Sequence, residues 1–480
     1  MRGLHFLYLI LLLTAIPACR NTPDILTVVH STPPLSLDPL TTVDMNTQYV
    51  LFNVYEGLVG YDAGHGIVPV LAESWSNPTP TTWVFQLRKG VYFHDGSEFT
   101  SRDAVWSLSQ VKANPDHPLR HHFDPIIRIE DPDPHTLLLE TRKETTIILH
   151  HLTSIRIVKE GSPLAGGTGP YIIEKQEDRE IRLKANPHYW KALHPIPTVI
   201  FQYMPSEDDR IHAIEDLAAR HQPFILLDFT KDMDKINVPV ELKTILSKTI
   251  TYLGFNVTIP PFDSRDFRKA LYQAIDVERI IKTRLHGSAV SASQVIPVHA
   301  FGYDHNLKRY PFDPEAAKAV LNHRSYPADI DLYLSTKGMD TAQFIAEDLA
   351  KAGITLHLNV TPWPELYERM ANRNVGFYFT GFSSTFGDGL STLEALFSSD
   401  GGFNTFGFSD PEVDRLIDFA RTTENDLERL RAIQLITLII HENVVLIPLY
   451  NRLDRHLCSA GLFWNLRGDG ALNLSEIRIP

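Results

Sequence analysis

The sequence predicts an α/β protein with more than one domain. Short apolar segments rich in β-branched residues alternate with longer segments of helical spacing, which is typical of α/β domains. The chain has 480 residues, more than the ~250–300 residues at which a single hydrophobic core stops growing. Hydrophobic residues make up 43% and charged residues 21% of the chain, as in ordinary globular proteins.

The N-terminal segment has the features of an export signal. Arg2 precedes the apolar stretch Phe6–Ile16, which is too short to span a bilayer. It is followed by Pro17-Ala18-Cys19, and a small residue before a cysteine resembles the lipobox of bacterial lipoproteins. We therefore expect residues 1–18 to be a signal peptide and Cys19 to carry a lipid anchor. Ordinary cleavage near Ala18, with an unmodified cysteine, is the alternative.

Cysteine count and charge exclude several classes of function. The chain has two cysteines, Cys19 and Cys458, too few for a zinc site built on thiolates. If Cys19 carries lipid, Cys458 has no disulfide partner. The formal net charge of −13 repels phosphate, so no nucleic-acid partner is expected.

The predicted strands are short apolar segments, several of them bounded by Pro or Gly. In chain order they are Ile25–Val29, Trp83–Leu87, Leu137–Leu139, Thr251–Asn256 and Leu446–Tyr450. A further strand is expected after the glycine-rich turn that ends at Tyr171. Of the glycines, Gly90, Gly96, Gly167 and Gly169 are expected in turns that need a positive φ.

The predicted helices begin at recognisable N-terminal signals. Apolar residues at helical spacing start at Tyr49 and reach Leu58. Capping boxes begin at Thr100 and Ser206, and Asp263 or Ser264 caps the helix that follows. Asp-Pro-Glu sequences, with an N-cap, a proline at the first helical position and an acidic first turn, start at Asp313 and Asp410. Another helix is expected over Arg429–Ile440.

Several sequence segments resemble one protein family, in that family's order. The most recognisable is LRKGVYFHDG, at Leu87–Gly96. The others are Asn53–Val59, Pro69–Trp75, Gly167–Tyr171, Asn186–Trp190, Tyr252–Asn256, Arg268–Leu271, Tyr310–Leu321 and Asn404–Ile417. Together they are similar to the family 5 extracellular solute-binding proteins, the peptide/nickel class that serves ABC importers.

The resemblance implies a two-lobed clamp of the periplasmic-binding-protein type (type II, peptide-binding subclass) with an extra inserted domain. The implied ranges are a discontinuous lobe I at 19–44, 165–255 and 444–480, an inserted domain II at 45–164, and a lobe III at 256–443. The chain is expected to pass between lobes near Phe255-Asn256 and Leu446–Tyr450. Ligand would be buried as the lobes close.

The resemblance also places the ligand-binding residues. Peptide-binding members carry, after a Gly-Trp pair, an aspartate that binds the peptide's α-amino group. Here Phe382 stands at the tryptophan, Thr385 at that aspartate, and Asp388 at a second aspartate downstream. A neutral threonine cannot compensate a buried ammonium, which weakens the case for peptides with a free N-terminus. The residues carried over by position are Phe382, Thr385, Phe386, Asp388 and Thr168.

Metal binding is not expected, although the chain has 21 histidines. His117 and His121 stand four residues apart, a spacing that suits metal ligation on a helix, but the prolines around them favour a loop. His150 and His151 are adjacent in sequence. All are expected to be solvated surface residues, and the sequence offers no third ligand.

The leading functional interpretation is the extracytoplasmic solute-binding component of an ABC importer that captures a peptide or peptide-like solute. It implies no enzymatic activity and no cofactor, a permease and its ATPase as partners, a monomeric state, and a location in the periplasm or at the cell surface. Alternatives on the same fold are a binder of metal chelates or oligosaccharides, and a ligand sensor. A secreted hydrolase is disfavoured because no Gly-x-Ser-x-Gly motif occurs.

Overall fold

A computed structural model describes residues 24–479, except positions 42–44, 63–65, 116, 118, 145–147, 163, 165, 193–195, 232, 324–325, 385–386, 424 and 468–469. The signal segment 1–18, Cys19, Thr385 and Phe386 therefore lie outside the described residues. No helix in the described part of the chain is both long and apolar enough to cross a membrane.

The strands alternate with helices along the chain, as the sequence predicts. The strands are β1 (Ile25–His30), β2 (Val59–Tyr61), β3 (Ile67–Pro69), β4 (Ala72–Thr79), β5 (Thr82–Leu87), β6 (Ile126–Asp133), β7 (Thr136–Thr141), β8 (Tyr171–Glu177), β9 (Glu180–Ala185), β10 (Thr198–Tyr203), β11 (Phe224–Leu226), β12 (Val240–Phe255), β13 (Ala289–Ser291), β14 (Asp329–Leu334), β15 (Thr355–Val360), β16 (Phe377–Ser383) and β17 (Leu446–Ser459).

The helices are α1 (Met45–Val54), α2 (Ser101–Ala113), α3 (Ile148–Leu152), α4 (Glu207–Ala219), α5 (Arg265–Ala274), α6 (Val277–Thr283), α7 (Pro314–His323), α8 (Met339–Lys351), α9 (Trp363–Ala371), α10 (Gly389–Phe397), α11 (Pro411–Thr422) and α12 (Asp426–Glu442). Short 3₁₀ turns lie at Arg120–Phe123, Met233–Lys235, Thr336–Gly338 and Leu474–Glu476.

The largest sheet is mixed and runs through most of the molecule. Its strand order is β15-β14-β16-β12-β17-β11-β1-β10-β9-β8, and β13 pairs with β17. The pairs β1–β10, β1–β11, β14–β15 and β14–β16 are parallel, and the other pairs are antiparallel. Two small sheets, β2-β3 and β4-β5-β7-β6, stand apart from it.

Separate hydrophobic cores define two lobes on this shared sheet. The core of the first lobe is drawn from residues 26–229 and 457–477, and the core of the second lobe from residues 252–450. The fold is thus a mixed α/β protein with two lobes, as expected.

The strands β12 and β17 connect the two lobes. They pair antiparallel along most of their length, with a register shift between Leu246 and Ile250 of β12. Leu253, Phe255 and Ile447 pack into the core of the second lobe, so the chain changes lobes earlier in β12 than the expected hinge at Phe255-Asn256. The assignment of residue ranges to domains stays a prediction.

The N-terminal signals predict the helix starts well. The backbone N–H of Thr100 donates to the carboxylate of Asp103 at 2.8 Å, and the expected capping box is present. The hydroxyl of Ser206 accepts from the N–H of Asp209 at 3.3 Å. The carboxylate of Asp410 accepts from Glu412 at 2.8 Å. These bonds satisfy N–H groups that have no partner within the first helical turn.

The prediction for the glycines is right for two positions and wrong for two. Gly90 and Gly96 have φ values of 68° and 85°. Gly167 and Gly169 do not have a positive φ. They are needed because the chain passes very close to the end of α1, where a Cβ on Gly167 would lie 2.1 Å from the carbonyl oxygen of Val54.

The prediction of surface histidines is also wrong for two residues. His117 and His151 are buried. The ring of His117 accepts a hydrogen bond from the backbone N–H of Leu119 at 3.1 Å, inside the protein. Among the residues that the structure describes, no group of three potential ligands could hold a metal ion.

Candidate functional site

A deep cleft lies beside α1, where the two long strands pass between the lobes. Its volume is about 1000 Å³, at the upper end of the ~300–1000 Å³ usual for ligand sites. The walls come from α1 and the chain after it, from residues 153–156, from the C-terminal residues 464–467 and 470–476, from the middle of β12 and β17, and from the end of β16. Ser383 and Ser384 reach it from the second lobe.

Asn53 fixes α1 against the C-terminal segment. Its side-chain amide donates to the carbonyl of Leu472 at 2.8 Å, and its oxygen accepts from the N–H of Leu474 at 2.9 Å. Asn53 is buried, so both bonds are shielded from water and hold well. Tyr49 and Phe52, three residues apart on α1, both face the cleft, and residues at this spacing are neighbours on a helix surface.

A buried cation stands beside Phe52. The guanidinium of Arg156 lies 4.3 Å from the centre of the Phe52 ring, within the range of a cation–π interaction. Arg156 is buried and lines the cleft. Its sequence neighbours Ile155 and Ile157 belong to the core of the first lobe, so the backbone at this position is held firmly.

Two carboxylates stand close to Tyr49. The carboxylate of Asp228 lies at hydrogen-bond distance, 2.7 Å, from Nε2 of His30, and the backbone N–H of Asp228 donates to the ring of His456 at 3.2 Å. Although burial acts to raise the pKa of Asp228, the bond to His30 keeps that pKa below its ordinary value. Asp454 also lines the cleft. Burial, followed by the charge of Asp228, raises the pKa of Asp454 to about 6.

The negative charges of both carboxylates act on the hydroxyl of Tyr49. Burial, together with the negative charges of Asp228 and Asp454, raises the pKa of Tyr49, so this phenol stays protonated. Burial lowers the pKa of His456 to about 4, so its ring is neutral near pH 7. This part of the wall therefore carries negative charge in an arrangement that attracts a cation.

Thr168 is placed away from the cleft. It is buried, and its hydroxyl donates to the carboxylate of Glu56 at 2.9 Å. Tyr189 and Trp190 donate to the same carboxylate, each at 2.8 Å. Burial raises the pKa of Glu56 against the opposing effect of these bonds. Glu56 and Tyr189 line the cleft, whereas Thr168 does not.

Phe382 and Asp388 are close to the cleft but do not line it. The ring of Phe382 packs edge-on against Phe403, with centroids 5.8 Å apart. Asp388 is fully buried, and its carboxylate accepts from Arg429 at 2.6 Å and from the N–H of Leu390 at 2.8 Å. The structure thus brings none of Thr168, Phe382 and Asp388 into the lining. Their role in binding stays a prediction, as does that of Thr385 and Phe386.

Sequence reasoning missed the charged residues of the cleft. The sequence offered one signal for Arg156, which is the single charged residue within the apolar run Ile155–Val158. Charged side chains are rarely buried, so an arginine in such a run indicates a functional residue. A signal for Asp454 was weaker, since its strand was predicted to end at Tyr450. Asp228 has a φ of 53°, which is uncommon for a residue other than glycine and is invisible in the sequence.

These features define a class: a two-lobed α/β protein with a ligand-sized cleft between long connecting strands. Residues 66–404 match the family described as bacterial extracellular solute-binding proteins, family 5 middle. The chain belongs to this family, whose members bind solutes outside the cytoplasm. The resemblance found in the sequence is thereby confirmed.

The chain is also similar to individual proteins, in sequence and in fold. The chain is 26% identical to the probable di/tripeptide-binding protein 5 of Pseudomonas aeruginosa, over 92% of both chains. It is 26% identical to heme-binding protein A of Haemophilus influenzae, over 86% of this chain and 85% of that protein. The structure of HbpA2 from Haemophilus parasuis superimposes with a TM-score of 0.85 and 24% identity, covering 95% of this chain and all of that one.

Proposed function

We propose that this protein captures a small peptide or peptide-like solute in the cleft and delivers it to the permease of an ABC importer, without changing it chemically. A di/tripeptide-binding relative that aligns over nearly the whole chain supports this proposal. The cleft volume of about 1000 Å³ leaves room for a ligand of a few residues.

The observation that carries the proposal is a pair of opposite charges along α1. Arg156 stacks on Phe52, and the carboxylates of Asp228 and Asp454 act on Tyr49. Because Tyr49 and Phe52 are one helical turn apart, the cation and the carboxylates lie close together along the cleft. A zwitterion is complementary to such a wall: Arg156 would bind its carboxylate and Asp454 its amine.

This arrangement offers a route to bind an amine although a threonine, Thr385, occupies the family's aspartate position. We propose structural roles for Asp388 and Thr168, since both use their hydrogen bonds inside the protein. Phe382, Thr385 and Phe386 remain our candidates for contacts from the second lobe.

The experiment is calorimetric titration with three ligands: a dipeptide, a tripeptide and haem. A zwitterionic peptide should bind, and Arg156→Gln should raise its Kd about 30-fold, which corresponds to a loss of about 2 kcal/mol for a buried charged contact. Arg102→Gln is the matched control because the side chain of Arg102 is 69% exposed. Tight haem binding with no peptide binding would overturn the proposal, since haem has carboxylates but no amine.

We also propose that residues 1–18 direct export and that Cys19 anchors the protein to the membrane through lipid, leaving the protein a monomer that docks on its permease. The support is the sequence Ala18-Cys19 after a short apolar segment. Mass spectrometry of the protein extracted from membranes should find an acylated N-terminal cysteine. Cys19→Ser should release the protein from membranes, and an unchanged membrane fraction would contradict the anchor.

A further inference from the structure

A small set of polar contacts joins the two lobes beside the cleft. Tyr61 ends β2 and His150 lies on α3, both in the first lobe. The hydroxyl of Tyr61 accepts a hydrogen bond from the backbone N–H of Gly387, in the second lobe, at 3.3 Å. The same hydroxyl is 3.0 Å from Nδ1 of His150. The Nε2 atom of His150 lies 3.7 Å from a carboxylate oxygen of Asp388, also in the second lobe.

The hydrogen-bond network determines where the protons are. Because the hydroxyl of Tyr61 accepts from Gly387, its own proton can be donated to Nδ1 of His150. The neutral imidazole then carries its proton on Nε2, which faces the carboxylate of Asp388. In this arrangement Tyr61 is hydrogen-bonded to both Gly387 and His150, whereas the 3.7 Å between Nε2 of His150 and Asp388 is too long for a hydrogen bond and makes that contact electrostatic.

Both ends of the contact are held by their own lobe. In the first lobe, Arg467 donates to the backbone carbonyl of Tyr61. In the second lobe, the N–H of Gly389 and the carbonyl of Gly387 bond to the backbone of Phe301, at 2.8 Å and 2.9 Å. The partners are therefore positioned in advance, and the contact forms when the lobes approach.

We propose that Tyr61 and His150 form a latch with Gly387 and Asp388, which stabilises the closed form of the clamp and weakens when His150 takes up a proton. Protonation places a hydrogen on Nδ1, which then cannot accept from Tyr61. The proton of the Tyr61 hydroxyl then has no acceptor on His150, and the closed form loses stability relative to the open one.

The charges around His150 favour the neutral ring in the closed form. Burial lowers its pKa below the ordinary value, and the positive charge of Arg429 acts in the same direction. Asp388 and Asp426 act in the opposite direction, but Asp388 is already paired with Arg429 at 2.6 Å.

The 3₁₀ turn Arg120–Phe123 also packs on α3 and contains a second cation, Arg120. A guanidinium nitrogen of Arg120 lies 3.9 Å from a carboxylate oxygen of Asp124. Opening the lobes would expose the ring of His150 to water and return its pKa towards the ordinary value, so closing releases a proton. The closed form is most favoured above the ordinary histidine pKa of about 6.5 and declines as the pH falls below that value.

The test measures the lobes directly and needs no ligand, so its outcome is independent of the proposed function. Spin labels are attached after Arg102→Cys on the first lobe and Arg415→Cys on the second, in protein carrying Cys19→Ser; Cys458 is buried and is left unchanged. Distance distributions from electron spin resonance at pH 7.5 and pH 5.5 give the ratio of closed to open protein.

We expect a closed population at pH 7.5 whose share relative to the open form falls at least about threefold at pH 5.5. Tyr61→Phe should lower the ratio about three- to tenfold at pH 7.5, as expected for the loss of its hydrogen bonds. His150→Gln should remove the pH dependence. Tyr92→Phe and His305→Gln, on exposed residues outside the latch, should match the parent protein.

The proposal is overturned if the empty protein shows no closed population at pH 7.5, or if its ratio is the same at both pH values. It is equally overturned if Tyr61→Phe and His150→Gln behave as their controls do. Circular dichroism confirms that each variant is folded. Should Tyr61→Phe fail to fold, the pH response of His150→Gln decides the question alone.

Discussion

The carboxylate of Asp388 accepts a 2.6 Å hydrogen bond from the guanidinium of Arg429, and both side chains are buried. Asp388 also caps α10 by accepting from the N–H of Leu390 at 2.8 Å. Arg429 lies on α12, so the pair joins the start of one helix to the side of another. The hydrogen bonds of this carboxylate are therefore made within the second lobe, and its contact with the first lobe is the one to His150.

Removing the cation of this pair should be costly. Arg429→Met leaves the carboxylate of Asp388 buried without its counter-ion, and breaking a buried pair in this way costs about 3–5 kcal/mol. Urea denaturation of the variant should show that loss in the free energy of unfolding. The control is Arg431→Met, on an exposed arginine of the same helix, which should change stability by less than about 0.5 kcal/mol. Equal effects would contradict the importance of the pair.

The buried side chain of Glu56 should stabilise the protein as a hydrogen-bond acceptor, and its charge should matter less. It accepts from Thr168, Tyr189 and Trp190. Glu56→Ala leaves these donors without an acceptor and should cost about 3 kcal/mol or more. Glu56→Gln should cost less than about 1 kcal/mol, because the amide keeps an acceptor and burial already disfavours the charge. Thermal and urea unfolding of both variants test this, and a larger cost for glutamine than for alanine would contradict it.

Local features of the fold could be predicted from the sequence, and contacts between distant segments could not. The helix that begins after Thr100 is visible because its cap lies within four residues. The meeting of Phe52 with Arg156 depends on segments about a hundred residues apart, and no local pattern reports it. The family motifs indicate the clamp because they occur in the family's order along the chain, and the family match over residues 66–404 confirms them.

The long connecting strands show a second limit. The sequence predicts only the apolar end of β12, Thr251–Asn256, and the structure extends this strand back to Val240. The added part carries lysine, threonine and serine side chains that are partly exposed, because it borders the cleft instead of a core. Apolar periodicity therefore fails where the strand lines the cleft. Asp454, beyond the predicted end of β17, was missed for the same reason.

Close packing at Gly167 gives a test of the corrected role of that glycine. A Cβ would lie 2.1 Å from the carbonyl of Val54 and 2.8 Å from the Cα of Tyr55. Gly167→Ala should lower the free energy of unfolding by about 2–3 kcal/mol, because backbone atoms must shift. Gly402→Ala is the control, since a Cβ there meets nothing within 4 Å. The role is contradicted if alanine is tolerated equally at both positions.

The ionisation of Asp454, which lines the cleft, should make the stability of the protein depend on pH. Its pKa in the folded chain is about 6, because of burial and then the charge of Asp228, compared with about 3.9 for an unperturbed aspartate. Above pH 6 the folded protein therefore holds an ionised carboxylate that is less favourable than in the unfolded chain. As the pH falls from 6 towards 4, the folded form takes up the proton first, and the penalty disappears.

Asp454→Asn should consequently stabilise the empty protein at neutral pH while weakening its binding of an amine. We expect the free energy of unfolding to rise by about 1–2 kcal/mol at pH 7.5, after allowance for the partial exposure of this side chain. At pH 4 the variant and the parent protein should be equally stable. Urea denaturation at both pH values measures this, with Asp131→Asn on an exposed aspartate as the control. A gain that is the same at both pH values would show that the removed charge is not its cause, whereas a gain confined to pH 7.5 would show that the buried negative charge of Asp454 lowers the stability of the empty protein.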